Sequence, residues 1–153
     1  MLNFIGHIQL RLDTKGRLLF PSIFKKNLTS KKSNIFVLKK DIFEDCLVLY
    51  PLPVWERESQ KLQTALNPYN REHNRFLRKF FSDTAQISLD ANNRLLLPRR
   101  LLDIVSIDRD IVLLGAGNKI ELWNPEKLQQ AEISQDEYIS LAQKLLNDFS
   151  NNE

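Results

Sequence analysis

Residues 12–21 read LDTKGRLLFP, and residues 89–98 read LDANNRLLLP. One ten-residue phrase stands twice, with an aspartate (Asp13, Asp90), an arginine four places on (Arg17, Arg94) and a closing proline (Pro21, Pro98). Before the first copy Ile8, Leu10 and Leu12 alternate with Gln9 and Arg11; Ile87 and Leu89 precede the second in the same way. Alternation, a four-residue turn and an apolar return predict a β-hairpin in each copy. Asp13 at the first turn position suits a carboxylate that accepts the backbone amide two residues on. Gly16 at the fourth suits the positive φ that follows a type I turn in a short bulged loop. Asn93 holds the glycine's place in the second copy, and Asn is among the side chains that best tolerate the left-handed conformation. Each proline then opens a short basic helical segment, SIFKKNL or RRLLDIV, where a missing amide hydrogen costs nothing.

The correspondence runs on beyond the phrase. IFVL at 35–38 matches IVLL at 111–114, and CLVLYPLP at 46–53 matches KIELWNPE at 119–126, each leading into helical sequence near Val54 or Pro125. Each half therefore reads hairpin, short helix, strand, strand, helix. A half of this size has too few strands for a core of its own, so the prediction is one domain of two halves closing a barrel-like core about a pseudo-twofold axis. The fold class is mainly β with added helices (α+β). The divisions are a first half at 1–66, a connecting helix at 67–81, a second half at 82–132 and a C-terminal helix at 133–153. On the connecting helix Tyr69, Phe76, Leu77 and Phe80 form an apolar face and Arg71, Arg75 and Arg78 another. Ser134 to Glu137 has the form of a capping box, and Tyr138, Leu141, Ala142, Leu145 and Phe149 form a stripe expected to pack on the protein's own core.

Composition narrows the function. No apolar run approaches the roughly 20 residues that cross a bilayer, and the first residues, MLNFIGHIQLRLD, lack the pattern of a secretion signal, so the expected location is the cytoplasm. The one cysteine, Cys46, lies in the apolar stretch CLVLY and reads as a core residue; it offers neither a disulfide nor a Cys-x-x-Cys metal site. His7 and His73 stand apart without a second ligand nearby, and His73 reads as a packed residue on its helix. The G-x-G of LLGAGNKIELW has Ile120 where a nucleotide-binding loop needs its third glycine, so it reads as a hairpin loop. No catalytic residue, metal, cofactor or small-molecule substrate is expected; the chain does not read as an enzyme.

The net charge of +3 conceals larger opposing terms. Residues 1–40 carry nine basic side chains against one acid, and residues 71–100 seven against three; the other two segments are acidic. The basic segments are those that contain the repeated phrase, which points to a polyanion, nucleic acid first, as partner; arginines presented from a ribbon to a major groove make it double-stranded DNA. The candidate DNA-binding residues are Lys15, Arg17 and Arg94 at the loops and Lys25, Lys26, Arg99 and Arg100 on the following helices. Asp13, Gly16, Asp90 and Asn93 organise the loops. An ion pair between each aspartate and its arginine is the bland alternative, worth only about 0–1 kcal/mol at an exposed surface. In the functional reading the acid orients a guanidinium that makes bidentate contacts to guanine or phosphate from a ribbon narrow enough for the major groove.

Asp13 to Gly16-Arg17, its copy from Asp90 to Arg94, FLRKFFSDTA before the second copy and IVLLGAGNKIELW after it together resemble the MraZ family of bacterial transcriptional regulators. The resemblance covers Phe4 to about Ala131. It implies two AbrB-like swapped-hairpin halves in a double-split β-barrel, a ring-shaped homo-oligomer, and association with the nucleoid. It also implies binding to short promoter repeats of the division and cell-wall gene cluster, with Arg17 and Arg94 as the motif arginines. This sequence departs from the family pattern at Ala91, Asn92 and Asn93 of the second loop and at Leu102. A DNA-binding antitoxin of the same hairpin class and a purely structural oligomer are the alternatives.

Overall fold

The computed structural model describes residues 2–28 and 34–151. The first half contains β1 (His7–Arg11), β2 (Arg17–Leu19), α1 (Ser22–Lys25), β3 (Ile35–Lys40), β4 (Leu47–Pro51) and α2 (Leu52–Ala65). After α3 (Arg71–Ser82) the second half repeats the series as β5 (Thr84–Ser88), β6 (Arg94–Leu96), α4 (Arg99–Ile104), β7 (Asp110–Gly115), β8 (Ile120–Trp123) and α5 (Pro125–Ala131). The last described element is α6 (Gln135–Asn151).

The strands form a six-stranded sheet, β1-β7-β8-β4-β3-β5, and a two-stranded ribbon, β2-β6. Exchanging each strand for its counterpart turns the sheet order into its own reverse, which is the pseudo-twofold relation expected from the repeat. β1 and β5 stand at the two edges, and each runs directly into a motif loop. β2 and β6 fold away from those edges and pair with each other, so the ribbon spans the gap and closes the barrel. The fold is thus mainly antiparallel β with added helices, built from two matching halves.

The hairpin expected within each phrase forms only at its turn. Beyond the bond from the Asp13 amide to the Arg17 carbonyl (3.1 Å), β1 takes β7 as its partner, His7 opposite Leu114, while β2 takes β6. The second copy retains the bond from the Asp90 amide to the Arg94 carbonyl (2.9 Å) and one bridge, Leu89 to Leu95. The chain splits because β2 must turn Leu18 inward, and β6 Leu95, to meet in the core. A flat hairpin would have left one of its strands on the outside.

The counterpart of β3 also differs by one place from the expected alignment. Leu38 faces Ala85 and Leu113 faces Ile8, so Leu38 corresponds to Leu113, not Leu114. Burial agrees, since Phe36, Val37 and Leu38 are buried as are Ile111, Val112 and Leu113. For β4 and β8 the expected alignment stands: Leu47 pairs with Leu122 and Leu49 with Ile120.

One apolar cluster fills the barrel and draws on both halves. Phe4, Phe20, Phe24 and Phe36 meet Leu95, Leu101, Leu102, Ile111 and Leu122 there. Cys46 is fully buried, as expected, in a smaller cluster with Val48, Val112 and Trp123 on the other side of the sheet; burial pushes its thiol pKa up, leaving it inert. The Gly115–Ile120 segment is a hairpin loop, closed by the Ala116 amide on the Lys119 carbonyl (2.9 Å). Gly115 has a packing reason: a Cβ there would lie 2.5 Å from the Phe4 carbonyl oxygen. Gly115→Ala should therefore push the N-terminal segment off the sheet and cost about 1–3 kcal/mol, visible as a lowered midpoint in thermal unfolding.

The helices bring further differences. Tyr69 is 95% exposed and lies before the N-cap Asn70, so it contributes nothing to the apolar face of α3. Phe76 and Phe80 of that face are stacked ring on ring, Phe80 is stacked in turn on Trp55 of α2, and Phe81 meets Trp55 edge-on. His73 is not a packed core residue: its Nδ1 accepts the Asn67 amide (2.8 Å) and fixes the turn into the helix. Ser134 caps α6 as expected, its Oγ accepting the Glu137 amide (3.1 Å). The α6 stripe, however, does not pack on the core. Tyr138, Leu141, Leu145 and Phe149 stay exposed, Phe149 at 68%. α5, by contrast, packs Leu128 on the Cys46 cluster.

Candidate nucleic-acid interface

The two motif loops have one backbone. In the first, Asp13 Oδ1 accepts the amides of Lys15 and Arg17, both at 2.9 Å, and the Gly16 amide donates to the Asp13 carbonyl at 3.0 Å. In the second, Asp90 Oδ1 accepts the amides of Asn92 (2.8 Å) and Arg94 (2.9 Å), and the Asn93 amide donates to the Asp90 carbonyl (3.1 Å). Gly16 has φ +80° and Asn93 φ +60°, as the turn chemistry requires. Each aspartate thus holds its loop by accepting amides that would otherwise point into solvent.

The loops differ at their arginines. Arg17 Nε donates to Asp13 Oδ2 at 2.7 Å, while Arg94 donates to Asp90 through its backbone amide. Among the described residues a carboxylate thus holds the Arg17 guanidinium, and none holds that of Arg94. Hydrogen bonds from the Arg17 amide, then from its side chain and from the Lys15 amide, hold the Asp13 pKa down to about 2; Asp90 is lowered chiefly by the Arg94 amide. A lowered carboxylate pKa stabilises the fold above the ordinary value of 3.8, and the contribution disappears as the pH falls from there through about 2. Amide resonances of Lys15 and Arg17 should accordingly hold their positions down to pH values at which a free aspartate is already protonated, and then shift together. A titration midpoint at the ordinary value would show that the loop does not hold its carboxylate.

The ribbon brings the loops to one place. Leu18 faces Leu95 on the pseudo-twofold axis, with Arg17 opposite Leu96 and Leu19 opposite Arg94. Leu18 and Leu95 are fully buried, so by strand alternation Arg17, Leu19, Arg94 and Leu96 all stand on the outer face. The two arginines are diagonal neighbours, a relation that puts Cα atoms about 7–8 Å apart. Each loop is clasped by the other half: the Leu97 amide donates to the Gly16 carbonyl (3.1 Å) and the Phe20 amide to the Asn93 carbonyl (2.9 Å). Lys25 Nζ of α1 donates to Asn93 Oδ1, and Arg99 of α4 lies beside Gly16.

The other candidate residues divide by what they touch. Lys15 and Lys26 are exposed. Arg99 Nη1 donates to the Ile107 carbonyl (3.1 Å) and lies 3.8 Å from Asp103, so its guanidinium is partly engaged in holding α4. Arg100 donates to the Ser82 carbonyl (2.9 Å) and to Asp83 (3.3 Å), tying α4 to the end of α3. The ribbon thus gathers Lys15, Arg17, Lys25, Arg94 and Arg99, whereas Arg100 turns toward α3. Sequence reasoning missed Leu19 and Leu96 as members of this face, although the alternation with buried Leu18 and Leu95 contained the signal. Among the described residues no group of three His, Cys, Asp or Glu is placed to hold a metal, and no helix is long and apolar enough to cross a membrane.

The chain matches the family model described as MraZ protein, antitoxin-like, twice, over residues 4–79 and 80–152. A protein of Bacteroides thetaiotaomicron named transcriptional regulator MraZ is 38% identical over 97% of this chain and 95% of its own length. One of the same name from Bacteroides fragilis is 40% identical over 85% and 82% respectively, and one from Flavobacterium psychrophilum 34% over 100% and 98%. With the doubled loop, the shared ribbon and these relatives along its whole length, the chain belongs to the MraZ family.

Proposed function

We propose that this protein is a sequence-specific, DNA-binding transcriptional regulator that works through the two loops of the β2-β6 ribbon. The observation that carries the reading is the placement of Arg17 and Arg94 as diagonal neighbours on one outward face, each following an aspartate-held turn. A two-stranded ribbon fits a major groove about 12 Å wide, and a guanidinium matches the paired acceptors of guanine. Lys15, Lys25, Lys26 and Arg99 supply phosphate contacts, which position the ribbon without reading sequence. Arg100 contributes less, since Asp83 and Ser82 occupy its donors. The relatives' shared name supports a role in transcription.

The targets in this reading are short promoter repeats upstream of the division and cell-wall gene cluster, met by a ring of identical subunits in the cytoplasm at the nucleoid. The exposed stripe of α6 favours self-association, because large apolar side chains in a row demand a cover. A ring would sum weak contacts to successive repeats through effective concentration. No catalytic step is part of this reading. The test is gel retardation of the DNA just upstream of the protein's own gene, against unrelated DNA of equal length, at two salt concentrations. Specific retardation that weakens with salt is the expected result, and replacing Lys25 and Lys26 together should flatten the salt dependence by about 0.9 in slope for each phosphate that is no longer neutralised. Equal retardation of both DNAs would leave only non-specific adhesion.

A further inference from the structure

The outer face of the ribbon is not only basic. Leu19 and Leu96 are each 57% exposed there, in strands whose neighbours Leu18 and Leu95 are wholly buried. Each exposed leucine sits directly across the ribbon from an arginine, Leu19 from Arg94 and Leu96 from Arg17, so the pseudo-twofold axis generates an Arg-Leu, Leu-Arg array. A phosphate contact gives no use for these side chains, which carry no donor and would lose free energy beside a charged oxygen. The core gives no use for them either, since they point away from it. Within a major groove one apolar group stands among the donors and acceptors of the base edges, the 5-methyl group of thymine.

We propose that Leu19 and Leu96 are specificity-determining residues that seat thymine methyl groups beside the bases contacted by Arg94 and Arg17. This rests on the DNA-binding reading above and names what that surface selects: a thymine near each arginine-read guanine, at a spacing set by one cross-strand pair of the ribbon. The arginine supplies direction through paired hydrogen bonds. The leucine supplies discrimination that no hydrogen bond can give, because a cytosine in thymine's place presents an amino group and no methyl.

The test uses the full chain and the DNA upstream of its own gene, prepared once with thymidine and once with deoxyuridine throughout, which removes every thymine methyl and leaves base pairing intact. The wild-type protein should bind the thymidine form more tightly, by about fourfold for each methyl seated. The double variant Leu19→Ala, Leu96→Ala should bind the two forms equally, at the affinity of wild type for the deoxyuridine form. Circular dichroism melting of the variant establishes that it folds, and sedimentation that its subunit number is unchanged. Equal wild-type affinity for both DNAs overturns the inference while leaving DNA binding intact, as does a variant that keeps the preference for thymidine. A variant whose subunit number falls assigns the leucines to a contact between copies and equally overturns it. If wild type retards neither DNA, the DNA-binding reading itself fails.

Discussion

Residues 1–79 produced alone are expected to be unfolded as a monomer, losing the whole of a stability that for a domain of this size runs to about 5–15 kcal/mol. Among the described residues β1 pairs in the sheet with β7 alone, β2 with β6 alone, and both β3 and β4 take a second partner from the other half. Separating the halves leaves the single hairpin β3-β4, and an isolated two-stranded hairpin is marginal in water. The core is shared as well: Phe4, Phe24 and Phe36 would lose Leu95, Leu101, Leu102 and Ile111. The fragment's one route to a closed barrel is a second copy standing in for the missing half, since the pseudo-twofold axis would then become a true one. Far-ultraviolet circular dichroism against concentration, together with sedimentation, distinguishes these states. A fragment that unfolds cooperatively as a monomer, at a midpoint independent of concentration, would contradict the shared core.

The same interlocking explains which parts of the fold were legible in the sequence. Turn chemistry is local, so Asp13 with Gly16 and Asp90 with Asn93 announced their backbone, and Ser134 its helix start. Cys46 and the Gly115–Ile120 loop could be read from immediate neighbours. Strand partnership is not local. Alternation in Ile8, Leu10 and Leu12 says that one face is buried, but not that the neighbouring strand lies at Asp110–Gly115 and not at Arg17–Leu19. The one-place offset of β3 against β7 was hidden for a related reason: IFVL and IVLL match about equally well in either alignment, and only pairing with β5 and β1 decides. At the candidate interface the matching loop positions of Arg17 and Arg94 were legible from the repeat. The reach of Lys25 across to Asn93, and the approach of Arg99 to Gly16, depend on the swap of each short helix onto the other half's loop, and the engagement of Arg100 with Asp83 on the packing of α4 against the end of α3. The α6 stripe had the spacing of a packed helix, and spacing alone cannot name the surface that covers it.

Replacing Arg17 with alanine is expected to weaken specific DNA binding by about 1–3 kcal/mol, more than the same change at Arg94. Both side chains occupy the same position on the ribbon, so the difference comes from how each is held. Asp13 fixes the Arg17 guanidinium at 2.7 Å, and a pre-oriented fork loses less freedom on contacting a base edge. Arg94 must order itself on binding, which offsets part of the same contact. The asymmetry can be tested at its cause. Asp13→Asn keeps an oxygen to accept the loop amides but withdraws the carboxylate that grips Arg17, so it should bring the affinity down toward a value at which the two arginines matter equally. In that background Arg17→Ala and Arg94→Ala should cost similar amounts, a coupling that a double-mutant cycle reads directly. If the two arginine variants already cost the same in the wild-type background, the aspartate serves the turn alone; if neither costs anything, the ribbon is not what meets the DNA.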